Sequence, residues 1–159
     1  MIWRWLAVIA LSMTPALVLG QSAAAGIGIG FGFSPWALIP VMALAGFVEG
    51  IFIAWLGGKS SHLRIGFLQR FIAWMNKPRA IALANRFGPW GGMLIGVGLV
   101  GQEPILIALR WLGIETRRLV WPTAAANVLY AVVYYYVVKL GILSVESTIA
   151  PLREIWKML

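Results

Sequence analysis

Two stretches of the chain are apolar for long enough to cross a membrane as helices. The first, Pro35 to Leu56, reads PWALIPVMALAGFVEGIFIAWL and has a tryptophan near each end. The second, about Leu119 to Leu140, starts just after the basic sequence ETRR and carries the four tyrosines. Because about 20 apolar residues span the hydrocarbon core and Trp favours its interfaces, the pattern predicts two transmembrane helices.

Two other apolar regions, about 3–34 and 87–114, are unlike simple spans. Both are dense in glycine, as in GIGIGFGF and GPWGGMLIGVGLVG, and both carry polar residues near their middles. In the second region, short apolar segments flank Gln102, Glu103 and Pro104. Segments of this length are too short to cross the bilayer, and proline disfavours a helical residue before it. We therefore predict a re-entrant hairpin that breaks at Glu103-Pro104 and returns.

Two further segments have the periodicity of amphipathic helices. Residues 59–79 include HLRIGFLQRFIAWMN, which places polar and small residues on one face and aromatic and aliphatic residues on the opposite face. The tail, about 147–159, has a similar pattern. Both are predicted to lie in the membrane interface, and the basic stretch Lys59 to Arg86 is predicted to bind anionic headgroups.

The chain also contains a repeat with a spacing of 81 residues. The segment Gly20–Gly46 aligns with Gly101–Asn127 and is identical at six positions, which include the pair Gln21 and Gln102. Each half has an apolar rise, a Gly-Gln break, an apolar return and a spanning helix. We place repeat 1 at about 3–57 and repeat 2 at about 80–140 of a single membrane domain.

The repeat predicts that the two halves are inverted with respect to each other. Equivalent points are separated by one full crossing, so the halves must face opposite sides. The side that holds 59–86 also collects three further arginines and carries nine basic residues, against four on the other side. The positive-inside rule then places 59–86 in the cytoplasm and both termini outside. The predicted fold is all-α and integral to a cell (inner) membrane, with re-entrant hairpins, spanning helices and interfacial helices.

The composition of the chain excludes several classes of binding partner and catalytic site. The net charge of +8 follows from basic residues that flank apolar spans, so we expect contact with lipid headgroups and not with nucleic acid. The chain has no Cys, no Asp and one His, which excludes the usual Ser-His-Asp, Cys-His and zinc sites. We expect no enzyme activity, no cofactor and no bound metal.

Ionisable residues inside a membrane usually serve function. Glu103 is therefore predicted to be a proton-titrating or cation-binding carboxylate at a hairpin tip; the alternative is a turn in which Glu103 caps exposed N–H groups. Arg110 either pairs with Glu103 or extends to the interface. Glu49, in the first span, is either a second carboxylate on a proton path or a neutral carboxyl group between helices. Gln21 is either a structural amide or a substrate ligand.

Three further assignments complete the site prediction. Gln102 and Pro104 belong to the polar break and are included in the predicted transport site. Asn127 is predicted to hold helices together by hydrogen bonds. The tyrosines are assigned to the interface and to packing.

The succession RFGPWGGMLIGVGLVGQEPILIALRWLGIETRRLVWPTAAANVLYAVV resembles the small multidrug export protein family, a relative of the DedA (SNARE-associated, VTT-domain) membrane proteins. It combines a Gly-rich approach, a Pro-containing turn, a return that ends in Leu-Gly, a basic pair and a small-residue span. A weaker match covers Pro15 to Leu56. The resemblance implies inverted re-entrant hairpins and a role in proton-linked export or lipid-carrier handling. The chain differs in its first hairpin, where LGQSAAAG replaces the acidic residue and Arg that are common in that family.

The leading functional hypothesis is a small prokaryotic transporter, homodimeric, that exchanges a proton or cation against a small molecule. One alternative is a translocase that moves lipids or lipid carriers. The other is a noncatalytic membrane subunit whose glycine-rich faces bind partner helices. Stable co-purification with a partner, with no transport by the chain alone, would favour the last.

Overall fold

The computed structural model describes residues 2–13, 17–59 and 78–158, and within these ranges every regular element is a helix. The predicted basic helix at 59–79 lies almost entirely outside the described residues. In chain order the helices are α1 (Ile2–Ser12), α2 (Leu17–Gly30), α3 (Pro35–Lys59), α4 (78–100), α5 (Gln102–Trp111) and α6 (Thr116–Met158). The α4 label covers three consecutive segments, which are Pro78–Gly91, the π-helical Gly92–Gly96 and Val97–Val100. The first segment is kinked at Gly88, whose backbone is not helical (φ 62°, ψ −165°).

Helices α1 and α2 form a hairpin. Aromatic rings at the start of α1 pack against aromatic rings just after the end of α2. The ring of Trp5 stacks on that of Phe33 with centroids 3.8 Å apart, and Trp3 meets Phe31 edge-on at 5.3 Å. Val8 and Ala24 are fully buried in the same cluster. Phe31 and Phe33, at the end of the glycine-rich sequence GIGIGFGF, therefore hold the end of α2 against the start of α1.

Helices α2 and α5 contain the second apolar segment of each half, and we call them the return helices. Both end in the same turn. Phe33 N–H donates to Gly28 O over 3.0 Å, and Ile114 N–H donates to Leu109 O over 3.1 Å. This bond defines the Schellman motif, which requires a left-handed residue just before the donor. That residue is Gly32 in the first half (φ 77°) and Gly113 in the second (φ 83°). These positions are all 81 residues apart, so the backbone repeats at the spacing of the sequence.

The long helices also begin at equivalent residues. Helix α3 starts at Pro35 and helix α6 at Thr116, again 81 residues apart. The first span was predicted to start at Pro35, and it does. Helix α6 continues without interruption to Met158, so the backbone has one helix where a span and a separate tail helix were predicted.

The break of the second half lies at Gly101, the glycine of the Gly-Gln break that the repeat predicts, and not at Glu103-Pro104. Gly101 has φ 99° and ψ 162°, a conformation that favours glycine, and α5 begins at Gln102. Pro104 lies in the first turn of α5, where a helix makes no use of the backbone N–H that proline lacks. A proline there is compatible with a helix, which is why the predicted position was wrong.

The break of the first half was also predicted at the wrong residues. Gly20 and Gln21 lie inside α2, which begins at Leu17, whereas α1 ends at Ser12. The sequence after Gln21 is SAAA, and alanine is the strongest helix former. A single Gly-Gln pair next to such a run does not end a helix.

The two halves pack across each other. Helices α3 and α6 make the most extensive contact, while α2 packs on α6 and α5 packs on α3. The return helix of each half therefore lies against the long helix of the other half. This exchange brings residues of both halves together between α3 and α6.

Within residues 2–13, 17–59 and 78–158, two helical stretches are long and apolar enough to cross a membrane. They are Pro35–Gly58 and Thr116–Ile142, with mean hydropathies of 2.1 and 1.4. Only 44% and 22% of their most apolar windows are buried within the protein. Large apolar side chains, such as Trp36, Leu44 and Trp121, therefore remain exposed along both helices.

Candidate functional site

Three side-chain amides from the two halves join in one hydrogen-bonded chain between α3 and α6. Gln21 Nε2 donates to Asn127 Oδ1 over 3.2 Å, and Asn127 Nδ2 donates to Gln102 Oε1 over 2.7 Å. Gln102 Nε2 in turn donates to Gly46 O over 2.9 Å. Asn127 Nδ2 makes a second bond, to Thr123 O, over 2.9 Å. Asn127 is 2% exposed and lies at the centre of this amide network.

The amide network follows the repeat. Gln21 and Gln102 are equivalent residues, and so are Gly46 and Asn127, each pair being 81 positions apart. Gln21 bonds to residue 127 of the second half, and Gln102 bonds to residue 46 of the first. The prediction that Asn127 holds helices together by hydrogen bonds is confirmed.

Glycine at position 46 makes room for the network. A Cβ atom there would lie 2.2 Å from Asn127 Oδ1 and 2.5 Å from Gln21 Nε2. One turn later, a Cβ at Gly50 would lie 2.5 Å from Gln102 Nε2. Close packing of α3 on the amides therefore requires both glycines.

A small cavity of about 30 Å³ adjoins the amide network. It has room for one or two water molecules. Among the described residues, its lining includes two carboxylic acids, Glu49 and Glu103, and no Lys, Arg or His. The remaining lining residues are Ser12, Gln21, Val97, Gly101, Gln102, Asn127, Tyr130 and Tyr134.

Two lining residues have a buried oxygen without a hydrogen-bond partner, Gln21 Oε1 and Glu49 Oε1. The repeat explains the first. Gln102 Oε1 accepts a bond from the Asn127 side chain, but the equivalent residue for Gln21 is Gly46, which has no side chain to donate. Buried polar atoms are normally paired, so these oxygens mark a place where a ligand or water is expected.

Glu103 is 4% exposed and lies in the first turn of α5. Its carboxyl group is close enough to Glu49 for the two to interact electrostatically. The N-terminus of a helix carries a partial positive charge, which stabilises a carboxylate in the first turn. The two roles predicted for Glu103, at a cavity and at a helix start, are therefore compatible with each other.

Arg110 does not pair with Glu103. Its Nε donates to Ala54 O over 3.1 Å, and its Nη1 donates to Ile114 O. The guanidinium occupies the space beside Gly58, where a Cβ would lie 2.0 Å from Nη2. A cation at these two carbonyls stabilises the carboxyl ends of α3 and α5. Arg110 is thus a structural residue outside the cavity.

Tyr130 and Tyr134 line the cavity, although they were assigned to the interface and to packing. Tyr130 hydroxyl donates to Leu94 O, in the π-helical segment of α4, over 2.9 Å. Both tyrosines follow Asn127 on one helical face, at steps of three and four residues. That spacing was visible in the sequence and would have placed them beside Asn127.

Of the six predicted site residues, four line the cavity: Gln21, Glu49, Gln102 and Glu103. Pro104 is buried in α5 and does not reach it. Ser12 was not predicted; its hydroxyl donates to Val8 O within α1. Nothing in the composition of α1 distinguishes that serine as a site residue.

Compared with known proteins, the chain matches no family model, no curated protein and no solved structure. The resemblance to the small multidrug export proteins therefore rests on the sequence motifs alone.

Proposed function

We propose that α3 and α6 cross a cell (inner) membrane and that the hairpins α1–α2 and α4–α5 enter it from opposite faces. The 14 residues of α2 and the 10 of α5 are too few for a crossing. Irregular backbone within a membrane is tolerated where protein buries it, and Gly101 is buried. The basic segment 59–86 then lies in the cytoplasm and both termini lie outside.

We further propose that the protein is a transporter, acting as a homodimer, in which the cavity couples movement of a small molecule to a proton or cation. The observation that carries this proposal is the small cavity beside the amide network, whose lining among the described residues includes two carboxylic acids and no basic residue. Two neighbouring buried carboxyl groups do not both carry a charge without compensation, and exchangeable protons or cations supply it.

The hydrogen bonds of the amide network are compatible with a motion that opens the cavity to one side of the membrane and then to the other. Gln21 and Gln102 belong to return helices of different halves, yet both bond across to the other half's long helix. Rocking of one half against the other would break these bonds and would also change the separation between Glu49 of the first half and Glu103 of the second. Transporters with inverted repeats use this kind of motion around a central site.

The cavity is large enough for an ion but too small for an organic substrate. Sites for organic molecules usually enclose 300–1,000 Å³, whereas this cavity has about 30 Å³. In this conformation the cavity holds an ion or water, and the substrate needs another path. A path along the exposed apolar surface, where Leu44 is 63% and Phe52 56% exposed, favours a second candidate function, lipid translocation.

Proton-coupled flux in proteoliposomes tests the first candidate. The wild type, Glu103→Gln and Glu115→Gln are reconstituted with a pH-sensitive dye inside and ethidium, a cationic aromatic probe, outside. We expect proton movement that depends on ethidium in the wild type and in Glu115→Gln, whose carboxyl group is exposed and distant from the cavity. Glu103→Gln should lose it, and equal flux in Glu103→Gln would remove Glu103 from the mechanism.

A scrambling assay with fluorescent lipids separates the second candidate from the first. Accelerated lipid exchange between leaflets, without dye-reported proton movement, would replace small-molecule transport by lipid translocation.

A further inference from the structure

We propose that the cavity binds one monovalent metal cation of about sodium size, coordinated by Glu49 and by the side-chain oxygen of Gln21. The inference rests on the proposed function and makes it more specific, because it names the cation that the cavity binds.

The first argument is the pair of unpartnered oxygens. Gln21 Oε1 and Glu49 Oε1 are both buried, both belong to the lining of one small cavity, and neither accepts a hydrogen bond. Gly46 creates this situation, because the donor that Asn127 offers to Gln102 has no counterpart in the first half. An amide oxygen and a carboxylate oxygen are hard ligands, the type that alkali and alkaline-earth cations select.

The second argument is the helix end beside the cavity. Val97 and Gly101 line the cavity, and α4 ends between them at Val100. Gly101 N–H donates to Val97 O, while the carbonyls of the last turn after Val97 have no partner within the helix. The carboxyl end of a helix is partly negative, and such ends coordinate cations at broken helices in transporters.

The third argument concerns charge. No basic residue lines the cavity in the part of the chain that the structure describes, so Glu49 has no cationic neighbour there, whereas Glu103 has the amino end of α5. One proton is shared between two oxygens at most, but one cation is coordinated by several oxygens at once. A single metal cation therefore satisfies the carboxylate, the amide oxygen and the helix end together.

The lining also limits which cation fits. Among the described residues, no three His, Cys, Asp or Glu side chains come together, as a dedicated divalent or transition-metal site would require. The volume of about 30 Å³ excludes organic cations and a fully hydrated ion. A monovalent ion that has lost most of its water fits both limits.

Binding of radioactive sodium to the purified full-length chain in detergent tests the site. A scintillation proximity assay is run at constant ionic strength, with choline chloride replacing sodium chloride. We expect saturable binding of one sodium ion per chain. Glu49→Gln should weaken it about tenfold or more, since a charged ligand is lost. Gln21→Leu should weaken it less, and Glu115→Gln should leave it unchanged.

The outcomes separate this inference from the transport proposal. Absence of saturable sodium binding by the wild type, or equal affinity in a Glu49→Gln variant that keeps its helical circular dichroism, overturns the site. Should Glu49→Gln fail to fold, the wild type and Gln21→Leu decide the question. Sodium binding without any flux would uphold the site and end the transport proposal. Proton-coupled flux without sodium binding would do the reverse.

Discussion

The return helix of each half, α2 in the first and α5 in the second, ends in the same glycine turn but starts in different surroundings. Helix α5 begins directly after Gly101, so Gln102 and Glu103 lie in its first turn. Helix α2 begins at Leu17, so the equivalent Gln21 lies one turn inside it. The backbone thus repeats closely at the turns that end the return helices and at the starts of α3 and α6, and it differs where the return helices begin.

The contrast between Gly46 and Asn127 matters more for the site. An amide at position 127 serves both glutamines, and only a glycine at position 46 leaves room for it. The consequence is one buried oxygen without a partner, on Gln21. The difference between the halves at this central pair therefore produces an asymmetric cavity, with the unpaired oxygen contributed by the first half.

Exchanging the two residues tests this contrast most directly. Gly46→Asn alone should cost about 3 kcal/mol, because two amides would compete for one space. Asn127→Gly alone should cost about 2 kcal/mol, because Gln21 Nε2 and Gln102 Oε1 lose their partner. The double variant restores one amide and one glycine, so it should be more stable than either single variant. Thermal unfolding in detergent, followed by circular dichroism, measures all three.

A matched pair outside the network provides the control. Gly30 and Asn85 are both exposed, and a Cβ at Gly30 would meet no atom within 4 Å. The effects of Gly30→Asn and Asn85→Gly should simply add. Additive effects of Gly46→Asn and Asn127→Gly would mean that the two positions do not share one space.

The sequence allowed a good part of this arrangement to be predicted. The aromatic ends and apolar length of Pro35–Leu56 located α3, and the repeat paired Gln21 with Gln102. The repeat indicated a Gly-Gln break in each half, but the sequence could not decide between Gly101 and Glu103-Pro104, because a proline is tolerated in a first helical turn as well as after a break. The role of Tyr130 depends on its contact with Leu94, which is 36 residues away.

Arg110 is a second difference between the halves, since its equivalent in the first half is Ile29. Arg110→Lys should lower the free energy of unfolding by about 1–2 kcal/mol, because lysine cannot donate to both Ala54 O and Ile114 O in the same planar geometry. Arg117→Lys, at an exposed position of α6, should change stability by less than about 0.5 kcal/mol. Thermal unfolding in detergent provides the comparison.

A double-mutant cycle adds a stricter condition for Arg110. Because its guanidinium binds carbonyls, Arg110→Lys and Glu103→Gln should have additive effects on stability. A coupling energy above about 1 kcal/mol would contradict the structural assignment and restore the ion pair.

The turns at Gly32 and Gly113 should respond alike, since this is where the halves agree. Both residues have positive φ, and a Cβ at either position would meet no atom within 4 Å, so only the backbone opposes a side chain. Gly32→Ala and Gly113→Ala should each cost about 1 kcal/mol, the usual penalty of a left-handed alanine. Gly30→Ala, inside helix α2, should instead leave stability unchanged or raise it. Thermal unfolding of the three variants measures this, and costs that differ between Gly32 and Gly113 by more than about 0.5 kcal/mol would show that the two turns are not equivalent.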